Sequence, residues 1–137
     1  MKILGIELKA SNAVLAVVDV DDSSISHIDI NPKKISLKSD ETADVKSFAQ
    51  TFNAFLKDNG IDRAYIKTRN KKGEYSGGAV SFKIEGIIQA TAAIEIHLIN
   101  PQSIATHKKK NSFDYPKTLN KYQHTAYEIA HAGSMKQ

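Results

Sequence analysis

Cysteine and tryptophan are absent from the 137 residues, and proline occurs only three times. Without cysteine there can be no disulfide, no thiolate zinc site and no thiol nucleophile, so any chemistry must come from oxygen and nitrogen groups. A run of about 18 apolar residues is also missing, and MKILGIEL passes straight into a strand-like pattern without an apolar leader. The expectation is a cytoplasmic chain with no membrane partner. Internal repeats, low-complexity tracts and the Gly-x-Ser-x-Gly, Walker A and Rossmann patterns do not occur, which leaves serine hydrolases and the common nucleotide folds without support.

What is present suits one globular domain spanning residues 1–137, with 41% hydrophobic and 25% charged residues. A chain of this length buries roughly two-thirds of its unfolded surface, enough for a core without metal or disulfide staples. Nineteen Lys and Arg against 15 Asp and Glu give a net charge of +4, and the pI is 9.2. The positive charge is concentrated. Arg63, Lys67, Arg69, Lys71, Lys72 and Lys83 face only Glu74 in their stretch, and His107, Lys108, Lys109 and Lys110 precede Lys117 and Lys121. Side by side, the two stretches make a face suited to a polyanion; apart, they are solvated loops that keep a small protein soluble.

Lys2 to Leu8 and Ala13 to Val20 are β-branched apolar runs joined by Lys9-Ala10-Ser11-Asn12, a hairpin pattern. A third strand is expected from Ile25 to Ile30 or through Lys34 to Leu37, with Asn31-Pro32 as punctuation. Capping candidates at Ser39 to Thr42 precede Val45, Phe48, Phe52, Phe55 and Leu56, one helical face that Gly60 closes. Ala64 to Thr68 reads as a strand. Val80, Ile84, Ile87, Ile88 and Thr91 form the apolar stripe of a helix opened by Gly77-Gly78. Ile94 to Ile99 reads as a buried strand, Pro101 as the start of a short helix, and Leu119, Tyr122, Ala126, Ile129 and Ala130 as the face of a last helix ending at Gly133. Three strands joined by short links pair antiparallel, and strands reached through helices lie parallel by right-handed crossovers. The expected result is an α/β, ribonuclease H-like five-stranded mixed sheet of order 3-2-1-4-5 covered by helices.

Ile3-Leu4-Gly5-Ile6-Glu7 resembles the first strand of the RuvC-type Holliday-junction resolvases and their YqgF-like relatives, where an Ile-Leu-Gly-Ile-Asp run carries a catalytic acid. The whole chain also resembles a family of short proteobacterial proteins of unknown function. The resolvase resemblance implies two divalent metals held by acids from strand 1, strand 4 and the last helix, which activate water for phosphodiester hydrolysis. Carried over residue by residue, it implies Glu7, Lys67, His124 and Glu128 as catalytic positions and Glu7 and Glu128 as metal ligands. Mg²⁺ or Mn²⁺ is the cofactor if the chain is a nuclease. Here the sequence departs from the pattern, since Lys67 stands where a carboxylate is expected. An ammonium there repels metal, so the expectation is a Glu7–Lys67 ion pair and weak or absent cleavage. Glu85 is a further acid, expected on a solvated helix flank.

His27, His97, His107, His124 and His131 match no zinc motif, and His97 reads as a satisfied strand histidine, with a metal site from it as the alternative. The link Lys9-Ala10-Ser11-Asn12 sits where actin-like ATPases hold phosphate but lacks their glycines. The resulting expectation is a nucleic-acid-binding domain that uses Arg69, Lys71, Lys72, Lys108, Lys109 and Lys110, with a degraded nuclease site. The alternative is a non-catalytic adaptor on the same fold. Whether copies of the chain associate is open at this stage.

Overall fold

The computed structural model describes residues 1–22, 24–69 and 78–136. Strands β1 (Lys2–Lys9) and β2 (Asn12–Val20) form an antiparallel hairpin with Lys9 opposite Asn12. The two-residue turn between them puts Ala10 at φ 54°, the left-handed conformation that tight hairpin turns demand. The third strand of the sequence reading is two short strands, β3 (Ile25–Ile28) and β4 (Lys34–Ser36), which pair with opposite ends of β2. Proline lacks a backbone N–H, so Asn31-Pro32 breaks the ladder between them, and the sheet has six strands rather than five.

Helix α1 (Thr42–Asp58) ends at Asn59-Gly60, where Gly60 takes φ 61°. Strand β5 (Arg63–Lys67) then lies parallel to β1, with Ile3 opposite Arg63 and Ile6 opposite Ile66. After α2 (Ala79–Thr91), β6 (Glu95–Ile99) adds in parallel to β5. Asn100 caps α3 (Pro101–Lys110) by accepting the Ser103 N–H at 2.7 Å. A 3₁₀ turn at Lys121–Gln123 leads into α4 (His124–Ser134). The order β3-β2-β1-β5-β6, with β4 also on β2, is the ribonuclease H-like order expected once the extra strand is counted.

Side chains alternate between the two faces of the sheet. Leu4, Ile6, Leu15, Val17, Ala64 and Ile66 pack on one side with Phe48, Phe52 and Phe55 of α1 and Ile84 and Ile88 of α2. Ile3, Ala16, Val18, Tyr65 and Ile99 pack on the other with Ile104 of α3 and Ala126, Ile129 and Ala130 of α4. Two sequence expectations shift. The strand Ile94 to Ile99 is a largely exposed edge, with Leu98 46% accessible, because only β5 flanks it. On α2 it is Ser81, not Val80, that turns inward.

Gly5 sets how closely α4 approaches. A Cβ built there would lie 2.5 Å from the backbone nitrogen of Ala130 and nearer still to the carbonyl oxygen of Ala126. Backbone cannot rotate aside as a side chain can, so the strand-to-helix contact requires glycine at this position.

Candidate functional site

Strand alternation puts Glu7 and Lys67 on the α3/α4 face, along with Ile3, Gly5 and Tyr65. Lys67 is the last residue of β5, and the following crossover returns through α2 and β6 to start α3 beside it. The result is a cleft of about 440 Å³ lined by Lys67, Pro101, Ile104, Ala105, Lys108, Lys109, Thr125 and Glu128. It opens at the carboxyl end of a parallel strand, where α/β sheets commonly bind ligands. Three ammonium groups share this cleft with one carboxylate.

That carboxylate is already engaged. Lys108 Nζ lies 3.1 Å from Glu128 Oε2, and the Tyr115 hydroxyl donates a hydrogen bond to the same oxygen. The Glu128 side chain is only 14% exposed, so both contacts act where water screens them weakly. Burial, followed by the hydrogen bond to Glu128 and the charge of that carboxylate, pushes the Tyr115 hydroxyl pKa up to about 12. The Tyr115 ring stacks on His124 at 4.0 Å between centroids and 1° between planes.

The remaining candidates separate. Glu7 is half-buried and does not line the cleft, and among the described residues it has no ion pair, so the expected Glu7–Lys67 contact does not form. Its register explains this. Ile6 faces Ile66 across the strands, but the parallel pairing of β1 with β5 stops there. His124 shares a helix with Glu128 but packs on Tyr115 outside the cleft, and Thr125, three residues before Glu128, is the helix residue that lines it. Arg69 is not a free cation. Its guanidinium donates to Glu85 and to the Lys67 carbonyl, both at 3.1 Å, and lies 4.4 Å from the Phe82 ring. That also corrects the reading of Glu85 as a solvated flank, since its side chain is 16% exposed. Lys109 lines the cleft, Lys110 is exposed beyond it, and Lys71 and Lys72 lie outside the described residues.

The metal ligands implied by the resemblance do not fit a divalent ion. Glu128 is held by Lys108 and Tyr115, Glu7 stands apart, Lys67 brings positive charge into the cleft, and no three His, Asp or Glu gather among the described residues.

Sequence spacing did not bring together His107 and His131. His107 Nε2 and His131 Nδ1 are 2.7 Å apart, joining α3 to α4. Asn111 Nδ2 donates both to the His107 carbonyl and toward His107 Nδ1, at 3.2 Å each. Nδ1 of His107 is therefore the acceptor, and its Nε2–H donates to His131. Phe113 stacks on His131 at 4.3 Å. Burial lowers both histidine pKa values, that of His131 further through the neighbouring His107. Twenty-four residues separate the pair, so no local motif announces it. Thr125, by contrast, carries a signal in its spacing of three from Glu128. His97 is exposed, stacked on Tyr65 at 5.1 Å between centroids with its Nε2 3.4 Å from Glu95 Oε2.

A family model described as protein of unknown function (DUF3010) matches residues 1–133. Among curated proteins nothing matches. A Thermus thermophilus RuvC structure superposes with a TM-score of 0.74 at 11% identity, covering 98% of this chain and 93% of that one. T. thermophilus RuvC in complex with a Holliday junction substrate gives 0.71 at 12% identity, with coverages of 99% and 94%. The Fowlpox virus resolvase bound to Holliday junction DNA gives 0.60 at 16% identity, covering both chains fully at 100%. At these identities the likeness is one of fold. No helix among the described residues is long and apolar enough to cross a membrane.

Proposed function

This chain belongs to the DUF3010 family of unknown function, and we propose that it is a nucleic-acid-binding domain on a RuvC-like fold whose cleavage site is degraded. The observation that carries this reading is the convergence of Lys67, Lys108 and Lys109 on one cleft at the carboxyl end of β5. Charges far apart in the chain are brought together there by the sheet, which a merely solvated surface does not require. Phosphate groups match them, and their release of counterions supplies affinity without base contacts. The fold similarity to RuvC and to the Fowlpox resolvase, both solved with Holliday junctions, adds support for DNA as the ligand class.

The same cleft argues against hydrolysis. A metal-assisted attack on phosphate needs clustered carboxylates, and here an ammonium and an occupied carboxylate take their place. What the residues can do is hold phosphate in register, with Thr125 as a neutral hydrogen-bonding neighbour. The test is fluorescence anisotropy with duplex, single-stranded and four-way-junction DNA across a salt series, beside calorimetric titration with Mg²⁺ and Mn²⁺. The expected result is salt-dependent binding with no heat of metal binding. Mg²⁺-dependent cleavage that Glu7→Gln abolishes would overturn the degraded-site reading.

A non-catalytic adaptor with no nucleic-acid partner is the second reading. It draws on the Lys108–Glu128–Tyr115 contacts, which make the former site a structural link between α3 and α4. It predicts no binding of any polyanion even at low salt.

A further inference from the structure

Beside the basic cleft lies a second, smaller recess of about 250 Å³, lined by Lys108, Asn111, Ser112, Phe113 and Tyr115. Lys108 lines both spaces. The recess is walled by aromatic rings, with Phe113 edge-on to Tyr115 at 5.9 Å. Tyr115 is held from two directions, by stacking on His124 and by the hydrogen bond from its hydroxyl to Glu128, yet 36% of its surface stays accessible. An aromatic side chain that is fixed in orientation and still open loses little entropy when a second ring covers it.

We propose that this recess takes an unpaired nucleobase, so that the chain's ligand is single-stranded nucleic acid, with phosphates on Lys67, Lys108 and Lys109 and a base against Phe113 and Tyr115. The inference rests on the nucleic-acid reading of the cleft and narrows it to one class of strand. The shared Lys108 links the two parts, because a phosphate held by its ammonium carries its own nucleotide to the edge of the recess. A paired base inside a duplex has both faces covered by its neighbours and cannot stack on a side chain, whereas a single strand presents them freely. Ser112 supplies a polar partner for a base edge. Glu128, the carboxylate nearest Lys108, is screened by that lysine and by Tyr115.

The test uses the full chain and three fluorescent probes of equal length: a single strand carrying 2-aminopurine, the same strand with abasic sites, and the blunt duplex. Each is prepared as DNA and as RNA. The expected result is tighter binding of the base-bearing strand than of the abasic strand or the duplex, with quenching of 2-aminopurine on binding. Tyr115→Leu weakens the base-bearing strand roughly tenfold more than it weakens the abasic strand, while Tyr115→Phe, which loses the hydroxyl's bond to Glu128 but keeps the ring, lowers both strands to a similar small extent. Comparing strands on the unsubstituted protein keeps the question answerable even where Tyr115→Leu folds poorly. Equal, salt-dependent binding of abasic and base-bearing strands would overturn the base recess and leave the basic cleft standing. Absence of binding to all three probes would overturn both.

Discussion

On the α1/α2 face of the sheet, Leu4, Ile6, Leu15 and Ile66 meet Phe48, Phe52, Phe55 and Ile84 in a layer of large apolar side chains. On the α3/α4 face small residues, Gly5, Ala16, Ala126 and Ala130, sit among Ile3, Val18, Tyr65 and Ile129, and polar groups enter the layer: Gln123, His107 and His131. Gln123 is 1% exposed, and its Nε2 donates to the Leu15 carbonyl at 2.9 Å, pinning the start of α4 to β2. The first face holds the domain together by area removed from water, which is insensitive to small shifts in geometry. The second depends on close approach and on directional bonds, and it is the face that builds the cleft. Position-sensitive packing keeps Lys67, Lys108 and Glu128 at fixed separations, which a layer of adaptable side chains would do less well.

Substitutions on the two faces should separate these roles. Gly5→Val puts atoms into the backbone of α4, so its expected cost exceeds about 4 kcal/mol and leaves little folded protein in a urea titration at room temperature. A stable, cooperatively folding Gly5→Val variant would show that α4 docks less tightly than the sheet geometry implies. On the opposite face Phe52→Ala should cost about 3–5 kcal/mol by the same measurement, yet leave the affinity of the surviving folded protein for oligonucleotides unchanged. A change in affinity would mean that the faces communicate.

Smaller effects belong to the cleft. Replacing Lys67, Lys108 and Lys109 together by Ala should reduce the slope of log K against log salt by about 0.7 for each phosphate of a single strand that is no longer neutralised. The unfolding midpoint should fall as well, because the largely buried Glu128 then loses its charged partner. The histidine pair should make the α3/α4 face acid-labile. Both groups have pKa values lowered by folding, so the unfolded chain binds more protons below the ordinary value of 6.5. The stability contributed by the neutral pair is therefore fully present above pH 6.5 and is lost as pH falls through the lowered values. Melting temperatures measured from about pH 7.5 to about pH 5 should fall, and His107→Leu with His131→Phe should flatten that decline. The weakest effect expected is from Asp40→Asn, which breaks the exposed 3.0 Å pair with Lys83 and should stay within about 0.5 kcal/mol of the parent in denaturant titration.

The strands, helices and their order were legible from periodicity and punctuation. Phe48, Phe52, Phe55 and Leu56 mark the buried side of α1 without any knowledge of what they touch, and Gly60 marks its end. The hairpin of β1 and β2 was equally plain, because two alternating apolar runs with a short link have few other ways to pair. The site was legible in part. Lys67, Lys108, Lys109 and Glu128 do line one cleft, but Glu7, His124 and Arg69 do not join them. Arg69 illustrates why. A cation between Thr68 and a polar loop reads as solvent-facing, and only the return of α2 over the sheet brings Glu85 and Phe82 around it.

Local order depends on residues a few positions apart, whose spacing is set by the helix and strand repeats themselves, so the sequence alone determined most of the elements and the ribonuclease H-like order, while the split into β3 and β4 and the exposure of β6 came from how the strands pair. Partnership between Lys108 and Glu128, between His107 and His131, and between Gly5 and Ala130 was decided by the tertiary structure. Those pairs join segments 20 to more than 120 residues apart, and their distances follow from the crossing of α4 over the sheet, which in turn follows from a missing Cβ on β1.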